Sequence, residues 1–241
     1  MDQSPNFRLS RISTMWSRVL DAHDPAGEDL QTARQALASE YGPAVQRYLL
    51  GALSDEDGAT ELYHEFTIRF LQGDFHRAAP EKGKFRKYLK TVLINLVNDY
   101  HRSRKQDPMQ FRATLPEPAA GPESLNDAHT LESCLQEELM ARAWTALEAK
   151  NSTYHAVLLM RVETPDMSAR EIGELLDRSV GGPMATATVR KTLERARTRF
   201  SDLLLDEVLT VVESDSVEAI QAELDELGLL PYCRSALDRR F

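Results

Sequence analysis

Between Lys84 and Lys105 the chain carries seven lysines and arginines against one acid, Asp99. Lys84, Arg86, Lys87, Lys90, Arg102, Arg104 and Lys105 supply the charge, with Phe85, Tyr88 and Tyr100 interleaved among them. Cations in such a run pair with phosphates, and flat aromatic faces stack on unpaired bases. The aromatics have a plainer alternative as core residues, Phe85 above all. A second cluster, Arg190, Lys191, Arg195, Arg197 and Arg199, follows in the second half of the chain. The whole chain has a formal net charge of -9, so both clusters are local concentrations of positive charge in an acidic background. Two such segments point to one polyanion gripped at two places.

Other chemistries find little support. His64-Glu65 begins like a zinc-protease motif, but Ile68 stands at the second histidine position, so the metal pair is missing. The other histidines lack a matching ligand cluster. There is no Gly-rich phosphate loop and no evident nucleophile–base pair. The expectation is a protein with no catalytic residue, no metal and no cofactor. Cys134 and Cys233 are far apart in unrelated contexts, which argues against a disulfide framework and for a reducing cytosol. No apolar run approaches the roughly 18 residues of a membrane span. Met1-Asp2-Gln3-Ser4-Pro5 lacks the apolar stretch of a signal peptide. A cytoplasmic, nucleoid-associated protein is expected, with no membrane partner.

The elements that must position the two clusters are helical almost throughout. Apolar residues recur three and four apart, and strict alternation is scarce. Met15, Trp16, Val19 and Leu20 predict an N-terminal helix. Residues 30–53 predict one helix or two, with a break or kink at Gly42-Pro43 because the residue before proline avoids helical geometry. Residues 55–70 form the next, with Leu62, Phe66, Phe70 and Leu71 on one face. Phe85, Tyr88, Leu89, Val92, Leu93, Leu96, Val97 and Tyr100 make an apolar stripe at helical spacing. Pro108, Pro116, Pro118, Gly121 and Pro122 then mark a linker and the best domain boundary.

Helices resume at Leu131, and 154–162 is helical and apolar. Ser168 is a good N-cap, with Glu171 completing a capping box. A short helix with Ile172, Leu175 and Leu176, a turn, and a second helix give 168–200 the layout of a helix-turn-helix. Val189, Leu193, Ala196 and Phe200 face inward there, and the cations face out. Such a helix fits a major groove. A solvated amphipathic helix is the alternative. The tail 206–226 has eight acids and no base. With Leu204, Leu205, Val208, Leu209, Val211, Val212, Leu224 and Leu227 it reads as an amphipathic helix pair. It either stays solvated or folds back on the basic helices and restrains DNA binding.

These residues resemble an RNA polymerase sigma factor of the sigma-70 family, extracytoplasmic-function (ECF) group. Glu61-Leu62-Tyr63-His64-Glu65-Phe66, then Phe85-Arg86-Lys87-Tyr88-Leu89, then Asn95, Asp99 and Arg102-Ser103-Arg104-Lys105 resemble sigma region 2. Glu171-Ile172-Gly173-Glu174-Leu175-Leu176 and Thr188-Val189-Arg190-Lys191-Thr192-Leu193-Glu194-Arg195-Ala196-Arg197 resemble region 4. Residues 70–105 and 183–208 look especially like the large groups of planctomycete-type bacteria. His64 stands where Gln is usual and Tyr88 where Trp is usual. The turn Val180-Gly181-Gly182-Pro183-Met184-Ala185 is longer than the compact family form.

The resemblance implies two small helical domains in an all-α chain, partitioned as follows: 1–28 an N-terminal extension, 29–105 a region 2-like domain, 106–130 a flexible linker, 131–206 a region 4-like domain and 207–241 an acidic extension. It implies that Glu61, His64, Glu65 and Arg69 dock on the β′ clamp helices of core polymerase, with the β flap as a further contact. Lys84, Arg86, Lys87, Lys90, Arg102, Arg104 and Lys105 would hold the −10 element. Asn95 would accept an extruded base, or else bond its own backbone. Thr186, Thr188, Arg190 and Lys191 would sit nearest the bases of the −35 element, and Arg195, Arg197 and Arg199 nearest phosphates. An anti-sigma factor, or the tail itself, would regulate the protein. Two competing readings are a stand-alone helix-turn-helix regulator and a sigma-like interaction module that binds no DNA.

Overall fold

A computed structural model gives the fold and describes residues 30–53, 55–72, 84–106, 130–180, 184–212 and 216–241. The predicted N-terminal helix, nearly all of the linker and turn residues 181–183 lie outside the described residues. Among those described, the regular structure is helical, with nine helices and no strand. We number them α1 (Leu30–Leu53), α2 (Glu56–Gln72), α3 (Phe85–Gln106), α4 (Leu131–Lys150), α5 (Ser152–Glu163), α6 (Ala169–Val180), α7 (Thr186–Val211), α8 (Val217–Glu226) and α9 (Leu230–Arg240).

By its contacts the chain divides into two units, one from Met1–Glu138 with Thr210–Glu223, the other from Leu139–Leu209 with Leu224–Phe241. These cuts fall inside α4, α7 and α8, and so do not follow the sequence partition at 131 and 207. In the first unit α1 packs on α2 and α3, and α2 on α3. α1 buries Leu37, Tyr41, Ala44, Val45, Tyr48 and Leu49, a stripe at helical spacing. The expected break at Gly42-Pro43 does not occur. α1 runs through Pro43, whose ring sits on the exposed side of the helix while Tyr41, Ala44 and Val45 stay in the core. α3 buries Phe85, Leu89, Val92, Leu93, Leu96, Val97 and Tyr100. The start of α4 belongs to this unit, with Leu131, Cys134 and Leu135 buried. Burial, and then the neighbouring Cys134 and Glu132, push the Tyr48 phenol up to about 12.

In the second unit α5 packs on α6. Trp144 lies 4.7 Å from Phe200 and edge-on to His155, centroid to centroid 5.6 Å. Asn151 caps α5 by accepting from the Tyr154 N–H at 2.9 Å. The capping box of α6 is formed: the Ser168 N–H donates to Glu171 Oε2 at 2.7 Å, and the Glu171 N–H donates to Ser168 Oγ at 3.2 Å. α7 runs on past the predicted end near 206, because Leu204, Leu205, Val208, Leu209 and Val211 keep burying at helical spacing with no Gly or Pro among them. The acidic helix pair becomes the end of α7 plus α8, and α9 follows as a helix the sequence reading did not contain. Arg239 of α9 pairs with Asp202 at 2.6 Å, and Arg240 pairs with Asp206.

Two glycines are required by close approach. A Cβ on Gly58 would collide with Tyr100 Oη, and one on Gly173 would collide with the backbone carbonyl of Met184, which has no rotamer to escape into. Gly58→Ala and Gly173→Ala are each expected to lower stability by about 1–3 kcal/mol, as overpacking does. Urea unfolding followed by circular dichroism checks both, and midpoints within error of the parent would refute the packing argument.

Candidate nucleic-acid interface

α3 must be both core and cation carrier. With its stripe turned inward, Lys87 and Arg102 project into solvent, as does Arg104. Lys87 has no carboxylate partner among the described residues. Arg102 meets Asp99 on its own helix at 3.4 Å. Arg104 meets Asp55 at 2.8 Å and lies over the Tyr100 ring, 5.0 Å from its centroid. Tyr100 donates its hydroxyl to the same Asp55 oxygen at 3.1 Å. Tyr100 is therefore a buried bracket, not a free stacking face, and Phe85 is buried against Tyr41. Tyr88 is half-buried and stacked on Phe85.

The start of α3 is different. Arg86 is buried, 3 % exposed, and its Nη1 donates to Glu223 Oε1 of α8. Lys84 donates to the other oxygen, Oε2, at 2.8 Å. Glu223 is itself only 4 % exposed. One carboxylate from the acidic extension thus holds two of the predicted phosphate ligands. Lys90 faces Glu132 of α4 at 3.5 Å. Asn95 is half-buried, and its Nδ2 is buried with no hydrogen-bond partner among the described residues, an amide donor left to bond. The Lys105 side chain lies outside the described residues.

On α2, Glu61, His64, Glu65 and Ile68 stand at i, i+3, i+4 and i+7, one face of the helix. Glu61 and His64 are exposed. Glu65 is half-buried and pairs with Arg69. Burial raises its pKa, and the Arg69 guanidinium opposes that shift. Ile68 is 55 % exposed in the middle of this face. The sequence reading passed over Ile68, although its place off the Leu62, Phe66, Phe70 stripe already put it outside.

In the second unit Val189, Leu193, Ala196 and Phe200 are buried on one side of α7. Thr186, Thr188, Arg190, Lys191, Arg195 and Arg197 are exposed, and Arg199 is half-exposed. None of these five cations has a carboxylate partner among the described residues. Shallow grooves flank α7: one lined by Lys191, Arg195 and Arg199 with Tyr154 and the acids Glu194 and Asp202, the other by Arg190, Arg197 and Arg161 with Glu194 and Tyr232 of α9. This is a face suited to phosphates.

Both cysteines are free and buried, and burial raises each thiol, Cys233 to about 12. Among the described residues, no three His, Cys, Asp or Glu side chains group to hold a metal ion, and no helix is long and apolar enough to cross a membrane.

The hydrogen bond from Tyr100, aided by the Gly58 N–H and Arg104, holds the Asp55 carboxyl below its ordinary 3.8. A depressed carboxylate contributes stability above its unfolded pKa and loses it as pH falls through the folded one. Asp55→Asn is therefore expected to flatten the fall in Tm between about pH 5 and pH 2. Scanning calorimetry at stepped pH checks this, and parallel profiles would contradict it.

Residues 37–106 match the family model of sigma-70 region 2. No curated protein and no solved structure matches the chain. The matched span holds α2 and α3, with the Glu61 face and the cations of the first cluster. Sigma-70 region 2 is a domain of non-catalytic initiation factors that bind core RNA polymerase and promoter DNA, and the likeness to it here covers residues 37–106.

Proposed function

We infer that the protein is a sigma factor of the ECF group, similar to those of planctomycete-type bacteria, that directs promoter-specific initiation. α3 works at the −10 element and α7 reads the −35 element. What supports this reading is the pairing, on one chain, of a region 2 match with a capped helix α6 and a helix α7 whose five cations Arg190, Lys191, Arg195, Arg197 and Arg199 have no carboxylate partner among the described residues. A stand-alone regulator needs only the second of these.

The geometry supports the following roles. Thr186, Thr188, Arg190 and Lys191 stand in the first turns of α7, where a recognition helix meets base edges, and Arg195, Arg197 and Arg199 follow along the backbone. Lys87, Arg102 and Arg104 are the exposed phosphate ligands of α3. The unpaired Asn95 amide supports a contact to an unstacked base, since a buried donor without a partner is costly until something accepts from it. Glu61, His64, Glu65 and Arg69 surround Ile68, an apolar centre with a polar rim, which is the make-up of a protein-docking patch. We assign this face to the β′ clamp helices of core polymerase, and the second unit to the β flap. An anti-sigma factor fits the same surfaces.

Run-off transcription with cognate core polymerase over a library of promoter fragments tests the reading. Transcripts that share a two-part upstream motif, and arise only with the protein present, are expected. Retarded duplex DNA with no stimulated transcript would leave a stand-alone regulator instead. Ile68→Asp should weaken core binding about tenfold or more, the loss of one central anchor, with Tm unchanged. Unaltered core affinity in a pull-down titration would remove Ile68 from the docking face.

A further inference from the structure

We propose that Lys84 and Arg86 form a phosphate site that the chain fills with its own Glu223, so that the acidic extension latches the −10 helix until nucleic acid displaces it. This rests on the reading of α3 as a DNA-contacting helix.

The chemistry of Glu223 matches that of the ligand it would replace. A phosphodiester presents two non-bridging oxygens and one negative charge. Glu223 presents two oxygens and one charge, gives Oε1 to Arg86 and Oε2 to Lys84, and so occupies the donors that a backbone phosphate would take. Its position in α8 is odd for a structural residue. Ile220, Leu224 and Leu227 are buried at i, i+4 and i+7, and Glu223 lies on that same inward face. The other acids of α8, Glu218, Asp225 and Glu226, are exposed. An apolar residue at 223 would serve packing as well, because a buried ion pair gains little over a hydrophobic pair of like volume. What the carboxylate adds is a charge that a competing anion can exchange.

Three further cations of α3 follow the same pattern, while Lys87 has no carboxylate partner among the described residues. Lys90 is held by Glu132, Arg104 by Asp55 and Arg102 by Asp99. The cations of α7 carry no such partners among the described residues. The free chain therefore offers α7 to DNA first, and α3 engages when phosphates replace its internal carboxylates.

The test compares the full-length protein with Glu223→Gln, which keeps the shape and removes the charge. A fluorescein-labelled forked promoter duplex is titrated at several salt concentrations, and amide hydrogen exchange is followed across 217–226. Glu223→Gln should bind more tightly. Its log-affinity against log-salt slope should steepen by about 1–2, the release of one or two more counterions. Residues 217–226 should exchange faster in the variant, and also in the parent once DNA is saturating. Parent and variant slopes that coincide, while the parent still supports run-off transcription with core polymerase, would overturn the latch and leave the sigma reading standing. The steeper slope without any run-off transcription would uphold the latch and overturn the sigma reading. Should the variant unfold, the parent alone decides: protection of 217–226 that is unchanged at saturating DNA overturns the proposal, and lost protection supports it.

Discussion

The apolar stripe of α3 fixes where every cation on that helix can go. Phe85, Leu89, Val92, Leu93, Leu96, Val97 and Tyr100 are buried, and α3 packs on α1 and α2. Lys87, two positions from Phe85, then turns outward. Arg86 stands one position after Phe85 and three before Leu89, at the edge of the stripe, and is carried under the surface. A guanidinium there needs a counterion, because an unpaired buried charge is far more costly than a buried pair. Glu223 is one, so the packing of a helix early in the chain creates a demand that a residue far later in the sequence helps to satisfy.

The second unit solves a simpler problem. The Met184 carbonyl, just before α7, lies close against Gly173 of α6, where any side chain would hold the two apart. The Ser168–Glu171 box fixes the start of α6, and the contact of Trp144 with Phe200 seats α4 on the inner face of α7. From Val189 to Phe200 the buried residues of α7 fall on one side. Its cations are therefore exposed by default and need no internal counterion.

This difference explains what was legible in the sequence. The stripes of α3 and α7, the capping box, the inward set Val189, Leu193, Ala196 and Phe200, and the core place of Phe85 are local patterns, and local patterns survive without coordinates. The Gly42-Pro43 break was misjudged because proline was weighed alone. α1 keeps its buried stripe on both sides of Pro43, and tertiary packing outweighs one lost helical bond. α7 runs through 206 for the same reason. Tyr100 looked like a stacking platform until its hydroxyl found Asp55, forty-five positions away. The partner of Arg86 lies 137 positions away. One trace was present, an acid at 223 between Ile220, Leu224 and Leu227, but an interrupted stripe does not say which cation it meets.

The acidic balance of the chain also changes meaning. A net charge of -9 reads at first as a background that two basic helices must overcome. The placement of the acids is more selective than that. Glu223, Glu132, Asp55 and Asp99 are spent on α3, Asp202 and Asp206 on the far end of α9, and among the described residues none pairs with a cation of α7. Exposed pairs such as Arg102–Asp99 are worth at most about 1 kcal/mol and yield readily to a polyanion. The buried bridge at Glu223 is held from both sides by low dielectric and packing, and yields last. If α3 meets nucleic acid as proposed, a graded set of internal carboxylates, weak at the open end of α3 and strong at its start, would have the polyanion displace Asp99 and Asp55 before Glu223. On that proposal the order in which α3 opens is set by the burial of its partners and not by the number of its charges.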